Sequence, residues 1–196
     1  MKDSPYKRRL RRDFNEIENL AKSSDLIDFE YFGDPPNRYI ITYKCKGILR
    51  SRDGTFYYSE FHQVQIRLGA NYPTTRPDIK FLTPPIFHPN VSDLNGAVCI
   101  GHWTPSLKLS EWIINIGEMI QYKRYNVEDP LNISAAEWAK NNKSLFPVDK
   151  RELVKEIKSK ILNETEEFRI VIKSSNAEEK EQTEKIVITF DGDENE

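Results

Sequence analysis

The residues of this chain best suited to chemistry are Cys99 and Asn90, which lie in one turn-rich stretch, HPNVSDLNGAVCIGHWTP. A cysteine thiol can form a thioester, and an amide N–H can stabilise the oxyanion that arises when a thioester is attacked. No general base is obviously paired with the sulfur in this stretch. The pattern therefore favours a carrier of an already activated acyl group over a hydrolase that must activate its own attack.

The bulk properties of the chain limit the kinds of partner it takes. Its 196 residues allow one domain of ordinary size plus an appendage. The formal net charge of −2 favours neither nucleic acid nor an anionic membrane. No apolar run approaches the roughly 20 residues that span a bilayer, and the basic N-terminal segment lacks the apolar stretch of a secretory signal. We therefore expect no nucleic acid and no membrane among the partners.

The two cysteines, Cys45 and Cys99, are too few for a disulfide framework. The reducing cytoplasm is the expected compartment, because it would keep a catalytic thiol free. Cys45 falls in the middle of a strand-like segment, so we expect it to be an inert core residue.

Hydrophobic periodicity predicts an α+β domain. Ser4 and Pro5 form a helix start, and apolar residues then recur at helical spacing as far as Ala21. Four segments rich in β-branched and aromatic residues follow, separated by short turns, which indicates a four-stranded antiparallel meander. These segments are residues 26–32, 38–49, 55–68 and 78–83.

The second half of the chain is predicted to be a long loop followed by helices. Residues 83–108 carry many prolines and little periodicity, and such a loop inside a compact domain is often functional. Helices are expected to begin at Ser110, at Ser134 and at Asp149, the last one reaching about Leu162.

A change of composition marks a C-terminal extension. We assign residues 1–147 to the main domain and residues 148–196 to the extension. Within the extension, residues 168–173 and 185–190 are strand-like and predict a β-hairpin ahead of the acidic tail. An isolated hairpin is marginally stable, so we expect these strands to contact a partner or a second copy of the chain.

A series of short motifs carries a family resemblance. In chain order these motifs are Tyr72-Pro73, Phe81-Leu82-Thr83-Pro84, His88-Pro89-Asn90, Asn95-Gly96-x-x-Cys99, Trp103-x-Pro105 and Asp129-Pro130-Leu131. Their order and spacing resemble those of the ubiquitin-conjugating enzymes, over roughly residues 5–145. The resemblance implies the ubiquitin-conjugating fold for residues 1–147, with an N-terminal helix, the four-stranded meander, the active-site loop and then helices.

The resemblance implies a catalytic role for several residues. Cys99 would accept the C-terminal carboxylate of a ubiquitin-like protein as a thioester, and Asn90 would support the oxyanion or the loop around it. Asp129, together with Glu128, matches the acidic position that orients or deprotonates the incoming lysine of a target protein. The lysine amine has an ordinary pKa of about 10.4, so a nearby carboxylate matters for its reactivity.

Scaffold and partner surfaces are implied in the same way. His88 would fix the local backbone, Pro89 would rigidify the turn, and Trp103 and Pro105 resemble a contact loop for ligases. The basic face of the first helix resembles the docking face for an ATP-dependent activating enzyme, and its residues are Lys7, Arg8, Arg9, Arg11 and Arg12. Exchange of one thioester for another is nearly neutral in energy, so no nucleotide, metal or other cofactor is expected on this chain.

The chain departs from the family pattern beside the cysteine. The tripeptide Ile100-Gly101-His102 alone separates Cys99 from Trp103, where the family usually has a longer loop. This short form, together with residues 125–132, resembles conjugating enzymes encoded in prokaryotic ubiquitin-like operons, one setting for which is bacterial antiviral defence. The shortened loop puts recognition of a conventional RING-type ligase in doubt.

Other kinds of function stay open at this point. A scaffold of this family could instead bind a ubiquitin-like protein without a covalent bond. Detection of a thioester on Cys99 would distinguish a carrier enzyme from such a binding module. A Cys–His hydrolase would use His88 or His102 as its base, but no third residue to orient that base is evident. Cys99 and His102 have metal-like spacing but too few companions for a zinc site, so His102 is expected to be a polar loop residue near the cysteine.

Overall fold

The computed structural model describes residues 4–99 and 101–155. Within these ranges the chain forms helices and strands in the order of an α+β domain. In chain order they are α1 (Pro5–Lys22), β1 (Ile27–Gly33), β2 (Pro36–Tyr43), β3 (Gly47–Arg50), β4 (Phe56–Ser59), β5 (His62–Arg67), β6 (Asp78–Phe81), α2 (Leu109–Ile120), α3 (Ile133–Asn141) and a single 3-10 turn (Lys143–Leu145).

The first helix, α1, begins where the sequence predicts. The Ser4 hydroxyl accepts a hydrogen bond from the Lys7 N–H at 3.2 Å, and Pro5 occupies the first helical position. Leu10 and Ile17 lie on the face that packs against β1, β2 and α2, and both are buried. An apolar stripe on an otherwise charged helix therefore decides which side of α1 meets the core.

The central sheet is antiparallel and has the strand order β1-β2-β5-β6, which confirms the predicted four-stranded meander. Alternate side chains of β2, namely Tyr39, Ile41 and Tyr43, are completely buried. Ile41 lies in register between Phe29 of β1 and Val64 of β5. The two-residue period of a strand thus places one face of β2 in the core.

The predicted strands 38–49 and 55–68 are each divided into two in the structure. The Lys44 N–H still donates to the Leu26 carbonyl at 2.8 Å, in register with the β1–β2 pairing, and β2 ends just before this bond. The parts nearer the domain centre, β2 and β5, join the main sheet, whereas β3 and β4 pair with each other as a separate antiparallel hairpin. Composition favours strand throughout both segments, so the division is visible only in the hydrogen-bond partners.

The second helix, α2, buries the face that its spacing predicts, and the residues of that face are Trp112, Ile113, Ile116, Met119 and Ile120. The Tyr43 hydroxyl donates to the Ile113 carbonyl at 2.8 Å and ties α2 to β2. The predicted cap is wrong, because Lys108 occupies the N-cap position. Ser110 instead lies in the first turn, with its hydroxyl 3.5 Å from a carboxylate oxygen of Glu16 on α1.

The third helix, α3, also begins before its predicted start. Asn132 caps it, with its side-chain oxygen accepting from the Ala135 N–H at 3.0 Å, so Ser134 lies within the first turn. Asparagine and serine are about equally good caps, so the start of α3 is decided by which side chain reaches a free backbone N–H, here Asn132 at Ala135. Trp138 of this helix packs edge-on against Phe87, with ring centroids 5.7 Å apart.

The predicted helix from Asp149 is wrong over its described part, residues 149–155, which is irregular. The Asp149 carboxylate forms an ion pair with Arg151 at 2.6 Å instead of capping a helix. Leu153 then enters the same hydrophobic core as the sheet and α2. Ordered packing therefore continues beyond residue 147, while the boundary placed there stays a prediction.

The remainder of that helix and the strands predicted at 168–173 and 185–190 lie outside the described residues. The hairpin and its partner contact therefore stay predictions. Among the helices that the structure describes, none has the length and apolar character to cross a membrane.

Candidate functional site

Asn90 and Cys99 are brought together at the base of a pinched loop. The Cys99 N–H donates to the Asn90 carbonyl at 2.9 Å, and Val91 pairs with Val98 in an isolated antiparallel bridge. The Ser92 N–H continues this ladder. The sequence separation between the amide and the thiol is thus closed by backbone pairing, and the cysteine side chain is left half-buried at the end of the loop.

The turn of this loop requires glycine at Gly96. Its φ angle of +71° lies in the left-handed region, and its carbonyl accepts from the Phe81 N–H of β6 at 2.9 Å. A side-chain carbon at Gly96 would stand 3.1 Å from the Phe81 carbonyl oxygen. The Asn95-Gly96 pair therefore lets the loop lie directly on the sheet edge, which fixes the position of Cys99.

The side chain of Asn90 holds residues 126–132, which pass next to the loop and are named the crossing segment. Its Oδ1 accepts from the Asn126 N–H at 2.7 Å, and its Nδ2 donates to the Asn126 carbonyl at 3.0 Å. The neighbouring Pro89 carbonyl accepts from the Leu131 and Asn132 N–H groups, at 2.8 and 2.9 Å. Two consecutive residues thus anchor both ends of the crossing segment.

His88 completes this anchoring and is held as a neutral imidazole. Its Nδ1 accepts from the Asn90 N–H at 3.1 Å, so its Nε2 carries the proton and donates to the Arg124 carbonyl at 3.1 Å. Burial lowers the pKa of His88 to about 3. Because both ring nitrogens are engaged and protonation is opposed, His88 is not arranged as the general base of a Cys–His hydrolase.

Between the loop and the crossing segment lies a cleft of about 270 Å³, which we name the active-site cleft because the family resemblance implies that Cys99 reacts there. Cys99 and Asn90 line one part of it, and Asp129, an exposed residue, supplies a carboxylate at its edge. Glu128 and His102 are exposed and do not line the cleft. Of the two predicted acidic residues, Asp129 therefore lines the same cleft as Cys99 and Glu128 does not.

The sequence motifs do not predict several of the residues that line the active-site cleft. These residues are Asn115, Met119, Arg124, Tyr125 and Asn126. Arg124 is oriented by an ion pair from its Nε to a Glu118 carboxylate oxygen at 3.0 Å. The run containing Tyr125 and Asn126 stands out in the sequence, but nothing in it predicts that Asn126 is the partner of Asn90.

The second cysteine behaves as predicted for a core residue. Cys45 is fully buried, and burial raises the pKa of its thiol to about 12. The two thiols of the chain are therefore distinguished by access, since Cys99 faces the active-site cleft and Cys45 does not reach solvent.

A family model described as "Ubiquitin-conjugating enzyme" matches residues 9–154, the greater part of the chain and all of the site. The chain belongs to the ubiquitin-conjugating enzyme family. The match begins within α1, at Arg9, and includes the sheet, the Cys99 loop and the crossing segment, so it covers every sequence motif from Tyr72 to Leu131.

Curated relatives of this family carry different modifiers. The chain is 33% identical to the Nedd8-conjugating enzyme UbcE2M of Drosophila melanogaster over 149 residues, which cover 74% of this chain and 75% of that protein. It is 24% identical to human ubiquitin-conjugating enzyme E2 K over 148 residues, covering 70% and 67%. A shorter match, 30% over 90 residues, covers 43% of this chain and 52% of the SUMO-conjugating enzyme UBC9 of Caenorhabditis elegans.

A solved structure agrees on the fold. The E2 domain of a Toxoplasma gondii ubiquitin conjugating enzyme superimposes with a TM-score of 0.51 at 23% identity, covering 70% of this chain and 88% of that one. The predicted ubiquitin-conjugating fold is therefore confirmed. The likeness to conjugating enzymes of prokaryotic operons stays a prediction.

One residue, Arg9, does not belong to the predicted docking face for the activating enzyme. Arg9 lies apart from the exposed residues of that face, because its side chain is only 9% exposed. Its guanidinium donates to the Asp13 carboxylate at 2.9 Å, to the Tyr72 hydroxyl at 2.9 Å and to the Leu107 carbonyl at 2.6 Å. The exposed members of the face are Lys7, Arg8, Arg11 and Arg12.

The predicted ligase-contact loop of this family member is attached to the same network. The Trp103 indole N–H donates to the Pro73 carbonyl at 2.7 Å, and its ring packs edge-on against Trp112 at 5.3 Å. Pro105 is exposed, and its carbonyl accepts from Arg9. Trp103 is thus half-buried and holds the loop in place, while Pro105 faces outward.

Among the described residues no group of three or more His, Cys, Asp or Glu side chains could hold a metal ion. His102 is not among the residues that line the active-site cleft.

Proposed function

We propose that this chain carries a ubiquitin-like protein as a thioester on Cys99 and passes it to a lysine of a target protein. The observation that carries the proposal is the placement of a half-buried thiol and an exposed carboxylate, Asp129, in the same cleft. Membership of the ubiquitin-conjugating family and relatives named for ubiquitin, Nedd8 and SUMO support the same chemistry.

The proposed reaction consists of two acyl transfers. In charging, the Cys99 thiolate attacks the thioester carbonyl on an activating enzyme, a new S–C bond forms, and the cysteine of the activating enzyme leaves as a thiolate. In discharge, a neutral lysine amine attacks the carbonyl on Cys99, an amide bond forms, the Cys99 thiolate leaves, and the proton lost by the amine passes to Asp129. Each step exchanges one acyl bond for another, so the chain itself supplies no oxidant and no cofactor.

Asp129 is the proposed acidic group for the acceptor lysine. A lysine amine is almost fully protonated at neutral pH, and only its neutral form can attack. A carboxylate at the cleft edge can orient the ammonium group and accept its proton as the amine attacks. Glu128, which does not line the cleft, has no part in this step.

Asn90 is proposed to stabilise the oxyanion through the one amide hydrogen that is not already bonded. One of its two amide hydrogens is committed to the Asn126 carbonyl, which leaves the second for the developing oxyanion. The hydrogen bond to the Asn126 carbonyl also holds the shape of the cleft. Asn90 therefore has a structural part that precedes any electrostatic part.

The proposed partners follow from the exposed surfaces. An ATP-dependent activating enzyme would dock on the exposed basic residues of α1, with Arg9 holding the helix to the loop behind it. A ligase would contact the loop at Pro105. The cytoplasm is the proposed location, because its reducing poise would keep Cys99 free.

The decisive experiment compares wild type with Cys99→Ser in cells that contain the native activating enzyme, followed by intact mass and non-reducing gels. We expect an adduct of the size of a small ubiquitin-like protein, sensitive to thiols on wild type and resistant on the serine variant, since an oxygen ester survives thiols. The matched control is Cys45→Ser, which changes the buried thiol and should charge as wild type does.

An adduct that persists unchanged in Cys99→Ala would overturn the assignment of the acceptor. No adduct on any variant, with the activating enzyme shown to be active, would instead favour a family scaffold that docks the modifier without a covalent bond.

A further inference from the structure

A second concave surface is separate from the active-site cleft and shares no lining residue with it. It is a groove of about 670 Å³ between the β3–β4 hairpin and the start of α3, and we name it the arginine groove. The residues that give it its character are Arg50, Arg52, Tyr57, Ile86, Asp93 and Ser134.

The walls of the arginine groove are fixed by packing. Phe56 of β4 stacks on Phe87 with centroids 5.1 Å apart, and the Phe87 N–H donates to the Ile48 carbonyl of β3 at 2.8 Å. The Tyr58 hydroxyl donates to the Leu145 carbonyl at 2.8 Å, behind α3. The hairpin is therefore attached both to the segment before the active-site loop and to the region after α3, so little rearrangement is needed before a ligand binds.

The arginine groove carries a net positive charge. The Arg50 guanidinium carbon lies 5.6 Å from the centre of the Phe87 ring and 5.8 Å from that of Phe56. Among the described residues neither Arg50 nor Arg52 has an ion pair or a side-chain hydrogen bond. Asp93 is the carboxylate among the lining residues, and it stands against two guanidinium groups. A guanidinium stacked on an aromatic ring keeps its N–H edge available for a carboxylate.

The start of α3 adds to this positive potential. Asn132, its cap, and Ser134, in its first turn, both line the arginine groove. Free backbone N–H groups and the helix dipole make a helix N-terminus favourable for a negative charge. The helix N-terminus supplements the two arginines, which are the main basis for expecting an anionic ligand.

The arginine groove is close along the chain to the active-site cleft. Asp129 lines the cleft and Asn132 lines the groove, and three residues of chain span at most about 10 Å. An extended peptide covers that distance with a few residues, so one bound segment can reach both surfaces.

We propose that the arginine groove binds an acidic segment of the target protein, a few residues along its chain from the lysine that Cys99 modifies. The substrate part of this inference rests on the proposed transfer from Cys99, while the binding part does not. Carboxylate side chains match the two guanidinium groups, and Pro84 and Pro85 offer apolar contact to the rest of such a segment. Lysines flanked by acidic residues are therefore the expected acceptor class.

The test measures binding by fluorescence anisotropy, using a labelled peptide in which one lysine is followed by a run of glutamates. A matched peptide replaces the glutamates by glutamines. We expect the acidic peptide to bind at least about tenfold more tightly than the neutral one at low salt, and the difference to shrink as salt is added.

Variants locate the binding surface. Arg52→Glu should weaken binding of the acidic peptide about tenfold or more, since it replaces an attraction by a repulsion in the groove. Arg67→Glu, at an exposed arginine of β5 that has no ion pair with any described residue, is the matched control and should stay within about twofold of wild type. Backbone amide shifts in NMR spectra should move at Ile86, Phe87 and Ser134 when the acidic peptide is added.

Equal binding of the acidic and neutral peptides, equal weakening by both variants, or NMR shifts confined to other parts of the surface would overturn the proposal. Tighter binding of a single-stranded oligonucleotide at the same residues would overturn it in favour of a nucleic-acid site. Since the assay reads binding to the uncharged protein, its result does not depend on whether Cys99 forms a thioester, and the two proposals fail separately.

Discussion

The amide of Asn90 pairs with both backbone groups of Asn126, as one peptide group pairs with another in a sheet. Oδ1 accepts from the N–H at 2.7 Å and Nδ2 donates to the carbonyl at 3.0 Å. Asn90 is 6% exposed, so these bonds are shielded from water. The residue that family resemblance assigns to the oxyanion is therefore also the clamp that keeps the active-site cleft closed on one side.

Asn90→Ala tests this double role. We expect the free energy of unfolding to fall by about 1–3 kcal/mol, because the Asn126 N–H and carbonyl lose their partners in a shielded position. Charging of Cys99 should remain measurable, and discharge to lysine should slow. Urea denaturation gives the first quantity, and single-turnover discharge gives the second.

Asn126→Ala is the matched control for that experiment. The bonds to Asn90 use the backbone of Asn126, so this variant keeps them and loses the side-chain bond to the Glu128 N–H. Its stability should stay within about 1 kcal/mol of wild type. If Asn90→Ala unfolds at the same urea concentration as wild type while its discharge slows, the clamp is wrong and the oxyanion role stands alone.

Gly96→Ala should disturb the loop that carries Cys99. A φ angle of +71° disfavours any side chain, and the added carbon would lie 3.1 Å from the Phe81 carbonyl. We expect a loss of about 1–3 kcal/mol in stability and an altered rate of Cys99 alkylation by a maleimide. Gly69→Ala is the comparison, because its side chain would meet open space. Equal stability of the two variants would mean that the turn tolerates alanine.

Arg9→Ala should destabilise the chain far more than removal of a surface arginine. Asp13 is completely buried, and without Arg9 its carboxylate would lose its cation while the Tyr72 hydroxyl and Leu107 carbonyl lose a donor. We expect a loss of about 3–5 kcal/mol by chemical denaturation. Arg12→Ala, which breaks an exposed ion pair, should cost less than about 1 kcal/mol. A small effect at Arg9 would return it to the docking face.

The sequence predicts well what depends on local pattern. Strand-rich composition correctly predicts the four-stranded antiparallel meander, and apolar spacing correctly predicts the buried face of α2, because the period of a helix is fixed by backbone geometry. Cys45 is likewise predicted as a core residue from its apolar strand context. Helix starts are less certain, since neighbouring Asn132 and Ser134 both favour the cap and their competition depends on where the preceding loop arrives.

Contacts between distant residues are what the sequence does not predict. Helical spacing puts Arg9 among exposed basic residues, yet its long side chain reaches Leu107, 98 positions away in the chain. Asn126 meets Asn90 across 36 positions, and no periodicity connects them. Such pairs are decided by how the loops fold over the sheet, so the site is anticipated from motifs but its clamp is found only in the fold.

The buried His88 makes stability depend on pH in a specific window. Burial holds its pKa at about 3, below the ordinary value of about 6.5, so between these values the unfolded chain binds a proton that the folded chain does not. This contribution to stability is complete above pH 6.5 and is lost as the pH falls toward 3. His62 is also buried, and its pKa is lowered by the same cause, so it adds in the same direction.

His88→Gln should therefore reduce the dependence of stability on pH. We expect the contribution of His88 to lower the free energy of unfolding of wild type by up to about 1.4 kcal/mol per pH unit as the pH falls from 6 to 5, with His62 acting in the same direction, and the variant to lose the share of His88. Urea denaturation over this range measures the slope of the free energy of unfolding against pH. A loss of stability that is the same at every pH does not change this slope. Above pH 7.5 the slopes of wild type and variant should agree. Identical slopes between pH 5 and 6 would mean that His88 accepts a proton in the folded protein, which would reopen its candidacy as a base.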